Sequence, residues 1–364
     1  MRSIQLVFAI ALLLMLSGCT TTPTAPANDP FDALEAHFDA TDRQDPQTFM
    51  RLLYQARSWV PPTRLAHDTV ALSERSELPI NAAHAKIIGP SYRDALRSLA
   101  AKLWMIEHAE HTLDLTYYIY KYDPAGHALL GALCNAVKRG VDIRIMVDSL
   151  GSLHPSHAPI RALETCAADA GFMRDADGNR TTHRARVQFV VINALTSRHS
   201  WANRRSHDKL IIKDGRFPGK DMVMTGGRNI SVDYYGINKD GSRNPDTYLD
   251  LEILLRSDAA ADRAPGEVTV GEVSSVYYTL LFLHKGNRRI QPVTDTEHSD
   301  RYAYQRERAQ QALTAIKQVP AISAAYAEMP TYLAQGYRQT EVRLAHEMGN
   351  LSSEDVVGSV VEIK

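Results

Sequence analysis

The chain has 364 residues, of which 44% are hydrophobic and 23% are charged, and its formal net charge at pH 7 is -1. This composition is ordinary for a globular protein and allows one or two domains. Nucleic-acid binding domains usually carry a basic excess, which this chain lacks, so no nucleic acid partner is expected.

The first 18 residues have the features of a signal peptide. Arg2 gives a short positive region, an apolar run fills residues 7–16, and residues 16–19 (LSGC) resemble a bacterial lipobox. The run is too short for an ordinary transmembrane helix. We therefore predict that Cys19 is lipidated and holds the protein to a membrane without spanning it. A plain signal peptide or a short anchor is the alternative.

Residues 19–30 are predicted to form a lipidated tether rich in Thr, Pro and Ala, which should be flexible. Thr20 follows Cys19 in place of aspartate, and by resemblance to lipoprotein sorting this favours the outer membrane over the inner one. The predicted location is the periplasmic side of a bacterial cell envelope. Residues 31–86 are predicted to form an N-terminal helical region.

Helix and strand patterns alternate from residue 87 to residue 258. Apolar residues at helical spacing predict a helix over residues 92–109, and a second helix over residues 126–139 ends at Gly140. Strands are predicted at residues 112–120, 141–147, 187–192, 209–212, 222–224 and 248–255. This alternation predicts an α/β fold with a largely parallel sheet.

Residues 259–364 are predicted to form a helical C-terminal extension. Its helices are predicted at residues 268–283, 301–318 and 321–335. Cys134 and Cys166 also lie on predicted helices. In an exported protein these two cysteines could form a disulfide, and two buried thiols are equally compatible with the sequence.

The residues best suited to chemistry lie between Ser206 and Ile230. His207, Lys209 and Asp214 have the spacing His-x-Lys-x₄-Asp, and Lys209 begins an apolar, β-branched strand. Side chains two residues apart share one face of a strand, so His207 and Lys209 should point the same way. An imidazole beside an ammonium suits an anionic substrate, with His207 as nucleophile or proton carrier.

The surroundings of this motif favour a site over a solvated strand face. Residues 198–228 contain eight Lys or Arg and three Asp, a local excess of five positive charges that would concentrate phosphate. Gly226 and Gly227 let the backbone pass close to another group and bring Asn229 to the end of the strand.

The motif resembles the signature of the phospholipase D superfamily, which is His207-x-Lys209-x₄-Asp214 followed by Gly226-Gly227-x-Asn229. The resemblance extends upstream to residues 115–119, 123–126, 139–141 and 145–148, and it covers residues 87–257. Within the superfamily the chain is most similar to bacterial cardiolipin synthase C-type lipoproteins. The resemblance implies a mixed α/β sheet flanked by helices.

The resemblance also implies roles for the site residues. One His attacks the substrate phosphorus to form a phosphohistidine, while a second His protonates the leaving alcohol. Lys209 and Asn229 would bind the phosphate oxygens, and Asp214 would support the fold around the site. Asp250, or as a second choice Glu252, would hold the other ring nitrogen of the nucleophile.

The predicted substrate contacts are Tyr117, Gly226, Gly227 and Arg228. Tyr117 belongs to a tyrosine pair that is expected mainly to pack in the interior, with one ring lining the pocket. No metal or other cofactor is expected, because Lys209 and backbone amides can stabilise the phosphoryl charge.

This sequence departs from the family pattern in having one such motif where a complete site needs two. Either two chains pair, or the sequence is the front part of a longer two-lobed enzyme, which the helices predicted after Ser257 favour. Three functions remain open. They are phosphatidyl transfer between phospholipids that gives cardiolipin, phosphodiester hydrolysis by a phospholipase or nuclease, and a non-catalytic role as an envelope scaffold.

Overall fold

The computed structural model describes residues 36, 81–152, 157–192, 205–258, 268–284, 287–289, 300–342 and 344. The predicted signal peptide, Cys19 and the tether lie outside the described residues. Most of the predicted N-terminal helical region does too.

A nine-stranded sheet forms the centre of the fold, and a separate two-stranded hairpin accompanies it. The strands are β1 (Asn81–Ile88), β2 (Thr112–Tyr117), β3 (Asp142–Asp148), β4 (Phe172–Arg174), β5 (Arg180–Arg184), β6 (Val187–Ile192), β7 (Lys209–Lys213), β8 (Met222–Gly226), β9 (Glu252–Arg256), β10 (Arg288–Arg289) and β11 (Arg338–Val342). The strand order in the large sheet is β10-β6-β3-β2-β7-β8-β9-β1-β11, and β4 pairs with β5.

Seven helices of the described residues accompany these strands. They are α1 (Tyr92–Glu107), α2 (Pro124–Arg139), α3 (Ala158–Thr165), α4 (Val270–Phe282), α5 (Asp300–Gln318), α6 (Pro320–Ala327) and α7 (Met329–Ala334). The predicted mixed sheet flanked by helices is confirmed.

The expectation of a largely parallel sheet is wrong. Only β2 with β3 and β3 with β6 pair in parallel, and all other neighbours in the large sheet are antiparallel. The parallel pairs are those whose connections contain α2 or α3, because a parallel crossover needs a long connection. The connection from β7 to β8 is a turn too short for such a crossover, so these strands run antiparallel.

The sheet is covered on both faces. The larger apolar cluster lies between the sheet and the face formed by α1, α2, α3, α5 and α6, and it includes Leu99, Leu129 and Ile211. The smaller cluster lies between the other face and α4, and it includes Ile212 and Val276. Successive residues of β7 therefore point into different clusters, as the two-residue period of a strand requires.

Capping residues explain why α2 begins and ends where it does. The Asp123 side chain accepts a hydrogen bond from the Gly126 amide, and Pro124 occupies the first turn, where its missing N–H is tolerated. At the other end Gly140 adopts φ 105°. A Cβ at Gly140 would lie 2.2 Å from the Phe172 carbonyl oxygen, so both the conformation and the space select glycine.

The C-terminal extension packs on this same sheet, whereas the sequence suggested the start of a second lobe. Ala309, Leu313 and Ile316 of α5 belong to the larger apolar cluster. Strands β10 and β11 pair with β6 and β1 at the two edges. The apolar stripe of α5 is buried against the first helices, so the described extension is part of the same domain.

The start of the sheet also differs from the predicted domain boundary. Strand β1 begins at Asn81, so residues 81–86 lie in the sheet and not in the helical region assigned to residues 31–86. A disulfide joins Cys134 of α2 to Cys166 just after α3, with a Cα–Cα distance of 5.5 Å. None of the described helices combines the length and the apolar character needed to cross a membrane.

Candidate active site

His207, Lys209 and Tyr118 meet at the end of the sheet where β7 begins. The His207 ring stacks on the Tyr118 ring with a centroid distance of 4.0 Å and an interplanar angle of 15°. Lys209 Nζ lies 5.7 Å from the Tyr118 centroid and donates a hydrogen bond to the His207 carbonyl oxygen at 2.6 Å. His207 is exposed and Lys209 is half-buried, so an anion can approach both.

The surroundings of His207 favour its neutral form. Partial burial lowers the pKa of His207, and the positive charge of Lys209 lowers it further. The carboxylates of Asp148 and Asp208 act in the opposite direction without reversing the result. A neutral imidazole keeps the lone pair that a nucleophile needs, so this environment suits the predicted role.

Asp148 is a nearby carboxylate that was not singled out among the predicted site residues. It is the last residue of β3 and is fully buried, and burial raises its pKa. Its Oδ1 accepts hydrogen bonds from the amides of Leu150 at 2.8 Å and Gly151 at 3.0 Å. The Arg205 guanidinium lies 3.6 Å from its Oδ2. An aspartate at the carboxyl end of a buried parallel strand was the available signal.

Asp214 lies at the opposite end of β7 and is fully buried. Its carboxylate accepts hydrogen bonds from three successive backbone amides, Glu110 at 3.0 Å, His111 at 2.7 Å and Thr112 at 2.9 Å. Lys213 Nζ lies 2.9 Å away. These contacts tie the end of β7 to the chain at the start of β2, and the supporting role expected for Asp214 stays a prediction.

Asn229 is buried and connects two backbone segments near the site. Its Oδ1 accepts a hydrogen bond from the Ile119 amide at 2.9 Å, and its Nδ2 donates to the Tyr234 hydroxyl at 2.9 Å. These contacts hold the chain after β2 against the chain after β8. The predicted contact between Asn229 and phosphate stays a prediction.

Two predicted substrate contacts are corrected. Arg228 is fully buried and donates to Glu252 Oε2 at 3.2 Å and to the Gly89 carbonyl at 2.6 Å. Tyr117 is 2% exposed and packs in the larger apolar cluster. Its neighbour Tyr118 lies beyond the end of β2 and is the tyrosine that contacts His207.

Gly226, the last residue of β8, and Gly227, which follows it, both pack against protein groups. A Cβ at Gly226 would lie 2.3 Å from the Leu251 carbonyl oxygen, and a Cβ at Gly227 would lie 2.4 Å from Asp250 Oδ1. Gly226 also adopts φ 150°. Close packing therefore explains both glycines without a substrate, and the predicted substrate contacts of Gly226 and Gly227 remain predictions.

The two carboxylates considered as partners of His207 have different surroundings. Glu252 is buried in an ion-pair cluster, 2.5 Å from Lys102 Nζ and 3.2 Å from Arg228. Glu252 is therefore not the carboxylate that holds the His207 ring, because both of its oxygens contact buried partners, including the Ser98 hydroxyl. Asp250 precedes β9 and lies against Gly227, so its pairing with His207 stays a prediction.

Sequence comparison gives the class of domain that holds this site. The family model described as "Cardiolipin synthase, PLD-like domain" matches residues 103–241, which include Tyr118, His207, Lys209 and Asn229. The chain therefore carries a phospholipase D-like domain, and the predicted superfamily is confirmed.

Two curated cardiolipin synthases are similar to part of this chain. Cardiolipin synthase C of Escherichia coli (strain K12) is 28% identical over 180 residues, which cover 47% of this chain and 32% of that protein. Cardiolipin synthase of Geobacillus kaustophilus (strain HTA426) is 28% identical over 181 residues, covering 50% and 30%. The chain thus spans about a third of the length of these curated relatives.

Among solved structures, a phospholipase D family member, NUC from Salmonella typhimurium, has a TM-score of 0.36 and 16% identity. The match covers 57% of this chain and 99% of that chain. The family assignment rests on the sequence match and the motif.

Proposed function

We propose that this protein is a phospholipase D-type phosphatidyltransferase that makes cardiolipin from phospholipids. The observation that carries the proposal is the juxtaposition of a nucleophile and a cation at one accessible edge of the sheet, His207 and Lys209 beside Tyr118. The sequence comparisons support phospholipids as the substrate class, since the matching family model and relatives are named for cardiolipin synthase.

The reaction would proceed in two displacements. A ring nitrogen of His207 attacks the phosphorus, the phosphorus–oxygen bond to the headgroup alcohol breaks, and that alcohol leaves with a proton from an acid. The acceptor hydroxyl of a second lipid then attacks the phosphohistidine and gives its proton to the same acid, which is now a base, as the phosphorus–nitrogen bond breaks. Lys209 would neutralise charge on the phosphate oxygens in both steps.

The acid that protonates the leaving alcohol would come from a second His-x-Lys-x₄-Asp motif, in another lobe or another chain. A positioned acid typically contributes 10²–10⁴-fold to the rate. His207 is exposed at the edge of the domain, which leaves room for a partner group on the open side.

The activity can be tested with the purified protein and vesicles that contain phosphatidylglycerol, whose glycerol hydroxyls can accept a phosphatidyl group. Mass spectrometry should detect new cardiolipin, and denaturation at neutral or mildly alkaline pH should trap the phosphatidyl group on His207, because the phosphorus–nitrogen bond is hydrolysed in acid. Phosphatidic acid without cardiolipin would show that water is the acceptor and support a hydrolase. If neither product forms even when a chain that supplies the second motif is present, the result would support the non-catalytic role.

Membrane attachment through Cys19 is a separate part of the proposal. It rests on the sequence LSGC at residues 16–19 and on the tether that follows. Cys19→Ser should move the protein from the membrane fraction to the soluble fraction and abolish labelling by a fatty-acid analogue. Continued labelling of this variant would contradict the assignment of the lipidation site.

A further inference from the structure

The Tyr118 ring contacts two groups that differ in kind. One face stacks on the His207 imidazole. A Cβ at Gly151 would lie 2.8 Å from both Cδ2 and Cε2 of Tyr118, so Gly151 packs directly against that edge of the ring. A side chain at Gly151 would collide with the Tyr118 ring in its position beside His207.

The backbone around the ring is also held. The Tyr118 amide donates to the Asp208 carbonyl at 3.0 Å, and the Tyr118 carbonyl accepts from the Ser152 hydroxyl at 2.8 Å. The loop that carries Gly151 and Ser152 is itself fixed, because the Gly151 amide donates to the buried Asp148 carboxylate. The ring is therefore part of a rigid support that begins at the end of β3.

From this geometry we propose that Tyr118 is a positioning residue, whose ring holds the imidazole plane of His207 so that one ring nitrogen faces the substrate phosphorus. This inference rests on the proposed function of His207 as the nucleophile. An exposed imidazole can turn about its two side-chain torsions. Offset or parallel stacking on an aromatic ring restricts that turning, and a fixed attack direction raises the rate.

The stack has a second consequence for protonation of His207. The charged groups that act on the imidazole are Lys209 on β7, Asp208 beside it and Asp148 at the end of β3. Burial is the largest cause of the lowered pKa, and the Tyr118 ring supplies part of that burial. Removing the ring should expose the imidazole and raise the pKa of His207, so the acid limb of the pH–rate profile should move to higher pH.

The test compares Tyr118→Ala and Tyr118→Phe with the unchanged protein, and Tyr304→Ala, at an exposed position of α5, is the matched control. Ring protons of ¹³C-labelled histidine, assigned with His207→Gln, are followed by NMR through a pH titration. Tyr118→Ala should remove the upfield ring-current shift of His207 and raise its pKa, whereas Tyr118→Phe should preserve both values. In the lipid assay, Tyr118→Ala should lower kcat by about 10–100-fold and change KM much less.

The NMR measurement separates this inference from the proposed function, because it needs no turnover. An unchanged His207 shift and pKa in Tyr118→Ala would overturn the positioning role, and so would an effect on KM alone. Equal losses in Tyr118→Ala and Tyr118→Phe would also overturn it, since the hydroxyl and not the ring would then matter. An unchanged protein that shows the ring-current shift but makes no product, even when the second motif is supplied, would count against the proposed function and leave the stack established.

Discussion

The two ends of strand β7 carry different parts of one motif. At its start, His207 and Lys209 lie beside an aromatic ring and remain accessible. At its end, Asp214 is fully buried and accepts hydrogen bonds from three backbone amides. Five residues of strand separate these ends by roughly 17 Å. We call these two ends the chemical end, after the proposed role of His207, and the architectural end. Substitutions at the two ends should be measurable in different quantities.

The largest effect is expected at the chemical end. His207→Ala should lower turnover by at least about 10⁴-fold, since it removes the group proposed to form the covalent intermediate. The free energy of unfolding should change little, because the side chain is exposed. Lipid product analysis and chemical denaturation measure the two quantities, with His183→Ala on exposed β5 as control. Substantial cardiolipin formation by His207→Ala would remove the basis of the mechanism.

Lys209→Ala should have the next largest effect, a loss of about 10²–10³-fold in kcat/KM, because Lys209 is the group proposed to stabilise phosphoryl charge. Lys209→Arg keeps the positive charge and should recover part of this loss. Steady-state kinetics on vesicles would measure both variants. A full loss of stability in Lys209→Ala would instead show that this lysine has an architectural role.

Asp214→Ala should have the opposite signature. Three backbone amides would lose their acceptor, and Asp214 also adopts φ 48°, which alanine tolerates poorly. The expected loss is about 3 kcal/mol in the free energy of unfolding. Asp214→Asn should lose less, since asparagine keeps one acceptor and accepts this conformation. Denaturation midpoints, with exposed Asp246→Ala as control, measure the difference. Unchanged stability with lost activity would assign Asp214 to the chemistry.

A smaller, pH-dependent effect is expected beside the architectural end. Asp221 directly precedes Met222, which pairs with Lys213, and burial raises the pKa of Asp221 to about 6. A carboxyl with a folded-state pKa above its unfolded value stabilises the fold at low pH and loses that contribution as pH rises. Stability should therefore fall by about 2 kcal/mol between pH 4 and 7 through this group. Asp221→Asn should flatten that slope in denaturation experiments, and an unchanged slope would contradict the assignment.

Local patterns were sufficient for much of the fold. The apolar, β-branched run at residues 209–212 predicted β7, and the predicted strand at residues 187–192 agrees with β6. Helix α2 ends where Gly140 predicted, because a left-handed residue after a helix is a local requirement. Strand direction was predicted less well, since pairing depends on which connections are long enough to cross over.

Local patterns could not predict contacts between residues that are far apart in the sequence. Arg228 and Glu252 had the charge expected of site residues, yet they meet Lys102 of α1 in a buried cluster. Lys102 is 150 residues from Glu252, and no local pattern indicates that contact. The choice between Tyr117 and Tyr118 likewise depended on where β2 ends and which group lies beside it.

Residue types at fixed short spacings were enough to identify the motif and the superfamily and to suggest a chemistry for His207 and Lys209. The tertiary structure was needed to show which charged side chains are buried, that Cys134 and Cys166 are joined, and that the described C-terminal extension packs on the same domain. Burial and pairing depend on contacts between residues far apart in the chain. Contacts of the same kind join Asp148, Gly151 and Tyr118 beside His207, and no spacing in the sequence could show them.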